Sequence, residues 1–138
     1  RPCIPATFVH GEERNMIESQ MSEKIIGAAI EVHRHWGPGL YEEIYERSLC
    51  RELKIRQIQF ECQPQVPLEY KGERVGENLR LDLWVARKVV VEAKAVAELL
   101  PIHEAQLLTY MRLTKSRVGL LINFNVLVLK DGIKRFVL

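Results

Sequence analysis

The sequence is short of nearly everything that would mark a specialised class. It has three cysteines, Cys3, Cys50 and Cys62, an odd number with no CxxC or CxxH spacing. That argues against a disulfide framework and against a structural zinc site. Long apolar runs are missing as well. The nearest, Val118 to Leu129, is broken by Asn123 and Asn125 and stops short of the ~20 residues that a bilayer requires. Among the first twenty residues, Glu12, Glu13 and Glu18 stand where a signal-type segment would be apolar. The expectation is a cytoplasmic chain with no membrane partner. Excess charge is lacking too: 20 Lys and Arg face 18 Asp and Glu, a net of +2. A protein gripping nucleic acid by its backbone alone would be more basic, so such a partner calls for a local positive channel.

What is present is the balance of one folded domain: 138 residues, 47% hydrophobic and 28% charged. Residues 1–14 hold two prolines and no period, which predicts a loosely ordered N-terminal arm and a single domain over 15–138. From Asn15, the residues Ile17, Met21, Ile25, Ala28 and Val32 recur at helical spacing as far as Trp36-Gly37-Pro38-Gly39. A second helix is expected from Leu40 to Arg56, with Tyr45, Leu49 and Leu53 on one stripe. Alternation then predicts strands through Ile58–Cys62, Val66–Tyr70 and Leu79–Ala86, and Val89-Val90-Val91 opens a strand apolar enough to be central. A third helix follows from Pro101 to Leu113, then a strand over Arg117–Phe124 and a terminal hairpin or extension through Asp131-Gly132. The fold class is α/β, a mixed central sheet flanked by helices.

Several charged residues sit where core residues belong. Glu42 lies three before Tyr45 and seven before Leu49, on the inward stripe of its helix; Asp82 interrupts a run of leucines. Glu92 and Lys94 follow three valines and share a face at period two. Such residues are seldom buried without a partner. Two carboxylates on neighbouring strands can hold a hard divalent cation. A lysine beside them can orient water and offset charge on a phosphoryl group. Plainer readings exist: a cross-sheet ion pair for Glu92 with Lys94, and for Glu42 one more exposed charge on a helix rich in Glu43, Glu46 and Glu52. His33 and His35 are two apart on a helix, so they point about 200° apart and are not joint ligands. His103 shares a face with Gln106 and Tyr110 and suits either a phosphate contact or a helix start. Cys50 and Cys62 read as small buried hydrophobes. Lys71, Arg74, Arg80, Arg87 and Lys88 suit a nucleic-acid backbone or a solvated edge equally well.

The segment GPGLYEEIY carries G-x-x-E-x-x-Y as Gly39, Glu42 and Tyr45, and RLDLWV, VVVEAKA and IHEAQLLTY follow in order. Together they resemble the GxxExxY protein family, a branch of the PD-(D/E)XK nuclease superfamily, from about Met21 to Phe124. The resemblance implies a restriction-endonuclease-like αβββαβ core, here with an extra N-terminal helix and C-terminal strands. It implies a Mg2+- or Mn2+-dependent deoxyribonuclease that hydrolyses DNA phosphodiester bonds by metal-activated water. Residue by residue, it makes Asp82 and Glu92 metal ligands, with the backbone carbonyl of Ala93 as a further one and Glu42 as an additional candidate. Lys94 completes the E-x-K motif, and Gln106 with Tyr110 matches a Q-x-x-x-Y that supports the lysine and meets phosphate. DNA is the expected partner, and association with further copies of the chain stays open. The alternative is a nucleic-acid-binding or assembly module that keeps the fold without turnover.

This scheme depends on one register. A two-residue Arg87-Lys88 turn would set Asp82 opposite Ala93 and point Glu92 and Lys94 away from it. A three-residue connection, Ala86-Arg87-Lys88, sets Asp82 opposite Glu92, as a β-bulge would, and predicts positive φ at Arg87 or Lys88.

Overall fold

The computed structural model of the protein describes residues 6–138, with side chains from residue 16 onward. Helix α1 spans Ala6–Trp36 and so begins well before the Asn15 expected from periodicity. No proline lies between Pro5 and Pro38, and nothing in between denies the helical ladder its N–H groups. The expected arm is therefore helical from residue 6, and its first five residues lie outside the described part. Gly37 and Gly39 then take φ of 68° and 102°, which a side chain would resist. They swing the chain into α2 (Glu42–Ile55).

The strands are β1 (Phe60–Cys62), β2 (Gln65–Val66), β3 (Glu69–Tyr70), β4 (Glu73–Arg74), β5 (Leu79–Arg80), β6 (Leu83–Val85), β7 (Val89–Lys94), β8 (Val118–Asn123) and β9 (Ile133–Val137), with α3 (Pro101–Thr114) between β7 and β8. Five strands form a mixed sheet in the order β1-β6-β7-β8-β9. Only β7 and β8 run parallel in it, and α3 supplies the crossover that a parallel pair needs. The expected strand over 79–86 is divided at Leu81-Asp82, and β2 with β5 and β3 with β4 form short two-stranded pieces beyond the break.

Core packing fixes which way the charged residues point. All but the last residue of β7 are buried, as in a central strand covered on both faces. Val89, Val91 and Ala93 join Ile25, Leu49, Leu53, Leu120 and Phe124 on the side of α1 and α2. Val90 joins Leu107, Met111 and Leu121 under α3. Glu92 and Lys94 continue the Val90 face.

Two expectations are corrected. Leu129–Gly132 is a 3-10 turn instead of the first arm of a terminal hairpin, and β9 pairs back along β8. Gly132 lies so close to the Asn123 carbonyl oxygen that a Cβ would collide with it. Gly132→Ala should therefore lower the unfolding free energy by roughly 3 kcal/mol, an overpacking cost against backbone that cannot step aside. Urea denaturation checks this, and an unchanged midpoint would mean that the turn yields. The second correction concerns Cys50 and Cys62, which form a disulfide between α2 and β1 with Cα atoms 6.9 Å apart. Their separation of 12 residues hides a proximity created by α2 packing on β1. Among the described residues no helix is long and apolar enough to cross a membrane.

Candidate active site

The β6–β7 connection sets the geometry. Val85 pairs with Val89, so the link is the three residues Ala86, Arg87 and Lys88, closed by Lys88 N–H donating to the Val85 carbonyl at 2.9 Å. Ala86 and Arg87 sit at φ of 51° and 53°. The left-handed residue expected at Arg87 is there, and Ala86 shares the role in place of Lys88. Two successive left-handed residues reverse the chain in the sense that twisted strands require. Leu83 then lies opposite Val91, and the same register sets Asp82 beside Glu92.

Each carboxylate accepts a backbone N–H from across the β6–β7 pairing. Asp82 N–H donates to Glu92 Oε1 at 3.1 Å, and Ala93 N–H donates to Asp82 Oδ2 at 2.9 Å. Glu92 is 4% exposed. Burial, and then the charge of Asp82, pushes its carboxyl up to about 9. Burial raises Asp82 as well, against the pull of the Ala93 N–H. Without a cation, the pair resists carrying two negative charges.

Lys94 closes the constellation. Its Nζ lies 3.4 Å from Gln106 Oε1 on α3 and 4.0 Å from Glu42 Oε1 on α2. Glu42 is raised chiefly by burial, with Lys94 opposing. Tyr110, one turn beyond Gln106, is raised by burial and by the charges of Glu92 and Asp82, so its hydroxyl stays protonated and able to donate. Glu42, Asp82, Glu92, Lys94, Gln106 and Tyr110 thus form one connected group drawn from three elements, α2, β7 and α3, and the loop before β6.

A family model of the PD-(D/E)XK nuclease superfamily matches residues 19–136. The chain belongs to that superfamily. No curated protein and no solved structure matches it. The narrower likeness to the GxxExxY family continues to rest on Gly39, Glu42 and Tyr45.

The third of these has a clear physical task in this superfamily member. The Tyr45 hydroxyl donates to the Gly37 carbonyl at 2.5 Å and accepts Leu40 N–H at 3.1 Å, while its ring stacks on Phe124 at 4.8 Å. It clasps the turn that delivers Glu42. Asn125 Oδ1 accepts Gly39 N–H at 3.2 Å and holds the same turn from the far side. Tyr45→Phe keeps the stack and loses the clasp. It should cost about 1 kcal/mol of stability, the usual net worth of a hydrogen bond whose remaining partners still reach water. Thermal denaturation checks this, and an unchanged midpoint would assign Tyr45 to packing alone.

Other candidates serve structure. His33 Nε2 donates to the Val126 carbonyl at 2.7 Å, and His103 Nδ1 accepts Leu100 N–H at 3.0 Å at the start of α3. Arg87 pairs with Glu61 at 3.0 Å. Sequence reasoning missed two residues near the site. Glu46, counted in the sequence only among the acids around Glu42, is buried and feels Asp82. Its signal is the 42-46-49-53 spacing along the inward stripe. Gln63, which donates its N–H to the Asp82 carbonyl at 2.8 Å, has no sequence signal.

Among the described residues, no three His, Cys, Asp or Glu side chains converge as a ready metal cage. Mg2+ does not need one, since it retains several waters and is commonly held by one or two carboxylates. Asp82 and Glu92 are hard oxygen donors whose mutual repulsion a cation would relieve, and each leaves one oxygen clear of the backbone N–H bonds described above. The residues fit such an ion.

Proposed function

We propose that the protein is a divalent-metal-dependent nuclease that hydrolyses DNA phosphodiester bonds. The observation that carries this reading is the three-residue 86–88 turn, which brings Asp82 against Glu92 on the face bearing Lys94. Asp82, Glu92 and the Ala93 carbonyl would hold Mg2+ or Mn2+, with Glu42 reaching in from α2. Such a cation would polarise the scissile phosphate and acidify the attacking water.

The remaining work belongs to the chain. Lys94 donates to a phosphate oxygen and offsets the charge that grows in the transition state. Gln106 and Glu42 fix its amine, so little reorganisation is needed during reaction. The protonated Tyr110 hydroxyl donates to the phosphate from the α3 side. Water attacks directly, with no covalent intermediate on the protein.

The test is incubation with linear, circular and single-stranded DNA in Mg2+, Mn2+ or EDTA. Cleavage in either metal and none in EDTA is the expected result. DNA that is bound but uncut in both metals would overturn the nuclease reading in favour of a binding module.

A further inference from the structure

Linked to Asp82 through Gln63 lies a cavity of about 460 Å³ that the chemistry above does not use. It opens between α2 and the link from β1 to β2 that carries Gln63, and its walls include Glu46, the Cys50–Cys62 bridge, Gln63 and Arg80. Glu46 is 9% exposed and sits one helical turn beyond Glu42. Its Oε1 accepts from Gln63 Nε2 at 3.1 Å, and no donor among the described residues meets its other oxygen. Gln63 stands at φ 50° and donates its backbone N–H to the Asp82 carbonyl at 2.8 Å. The wall of the cavity is thereby bonded to the residue at the centre of the candidate site. Arg80 forms no ion pair among the described residues, whereas its neighbour across the opening, Arg47, is held by Glu43 at 3.0 Å.

The chemistry of these walls selects the occupant. A buried carboxylate repels phosphate and accepts N–H donors, and an amide beside it can donate to a carbonyl oxygen. Guanine offers that edge: N1–H and N2–H side by side, next to the O6 acceptor. Adenine has no carbonyl oxygen, cytosine has a single amino donor group, and thymine has one N–H between two carbonyl oxygens, so only guanine meets both carboxylate oxygens and the amide. The volume accommodates a purine. Because the edge being read is the pairing edge, the base has to be unpaired.

We infer that this cavity is a nucleobase subsite for an unpaired guanine flanking the scissile phosphate. Glu46 accepts from the N1 and N2 hydrogens, Gln63 donates to O6, and Arg80 meets the adjoining phosphate. The inference rests on the nuclease reading above, and it narrows the substrate to single-stranded or frayed DNA.

Two measurements test it. In the first, a mixed-sequence single-stranded oligonucleotide is digested with Mn2+ and the cut positions are mapped. The wild type should cut beside guanine roughly tenfold more often than beside other bases. Glu46→Gln keeps the size and the Gln63 contact, and it should cut without that bias. The same base distribution in both proteins overturns the subsite. The second measurement needs no cleavage: guanosine, adenosine, cytidine and thymidine monophosphates are titrated in turn while the Gln63 side-chain amide is followed by NMR. Guanosine monophosphate alone should move that signal, in the wild type and not in Glu46→Gln. Movement by any nucleotide besides guanosine monophosphate, or by none, overturns the subsite. A selective shift in a protein that cuts no DNA in Mn2+ would keep the subsite and remove the nuclease reading.

Discussion

Glu92→Gln is expected to reduce DNA cleavage by about a thousandfold or more while making the metal-free protein more stable at neutral and alkaline pH. The two effects share one cause. Glu92 is buried against Asp82, and its carboxyl is raised from 4.5 to about 9. Between those values the folded state keeps a proton that the unfolded chain has released. The corresponding stability is complete below about pH 4.5 and is lost as pH rises toward 9. Glutamine removes that titration yet still accepts the Asp82 N–H. In EDTA, the melting temperature of the variant should exceed that of the wild type by a margin that widens from about pH 5 to pH 9. A variant less stable at every pH would make Glu92 a structural partner, and undiminished cleavage would remove it from the mechanism.

Lys94→Ala should lower cleavage by roughly 10²–10⁴-fold and leave cation binding in place. Its amine contacts Gln106 and Glu42 and lies outside the hydrogen bonds that tie Asp82 to Glu92. Lys94 also favours the charged forms of Asp82 and Glu92, so its loss moves the acidic limb of any residual pH–rate profile to higher pH. Single-turnover rates across pH, paired with Mn2+-dependent melting, read both effects. Wild-type rates would exclude Lys94 from the chemistry. A lost Mn2+ response would mean that the lysine helps to build the site itself.

The sequence carried the site wherever a regular element fixed the phase. Three valines mark β7 as central, and period two then forces Glu92 and Lys94 onto one face. Four-residue spacing does the same for Gln106 and Tyr110 on α3. Asp82 follows from arithmetic over the 86–88 turn, since only an odd-length connection brings it to Glu92. What escaped the sequence depends on contacts between elements. Glu46 is hidden among Glu43 and Glu52, and its burial requires Gln63 to fold over it. The Cys50–Cys62 bridge needs α2 to lie on β1. The 3-10 turn at Leu129–Gly132 follows from Gly132 resting on the Asn123 carbonyl, a contact that no local pattern announces. Periodicity also sets the start of α1 too late, because residues 6–14 form helix without an apolar stripe to reveal it.

The central claim is that Asp82 and Glu92 are a cation site built for phosphodiester chemistry. Thermal denaturation of the wild type and Glu92→Gln at neutral pH, with and without Mn2+, tests it most directly. At a Mn2+ concentration 100 times the dissociation constant, a single site adds about 2.7 kcal/mol. The wild type should therefore melt several degrees higher with Mn2+ than in EDTA, and Glu92→Gln should melt at one temperature in both. A wild type indifferent to Mn2+, or a variant that gains as much as the wild type, would contradict the claim.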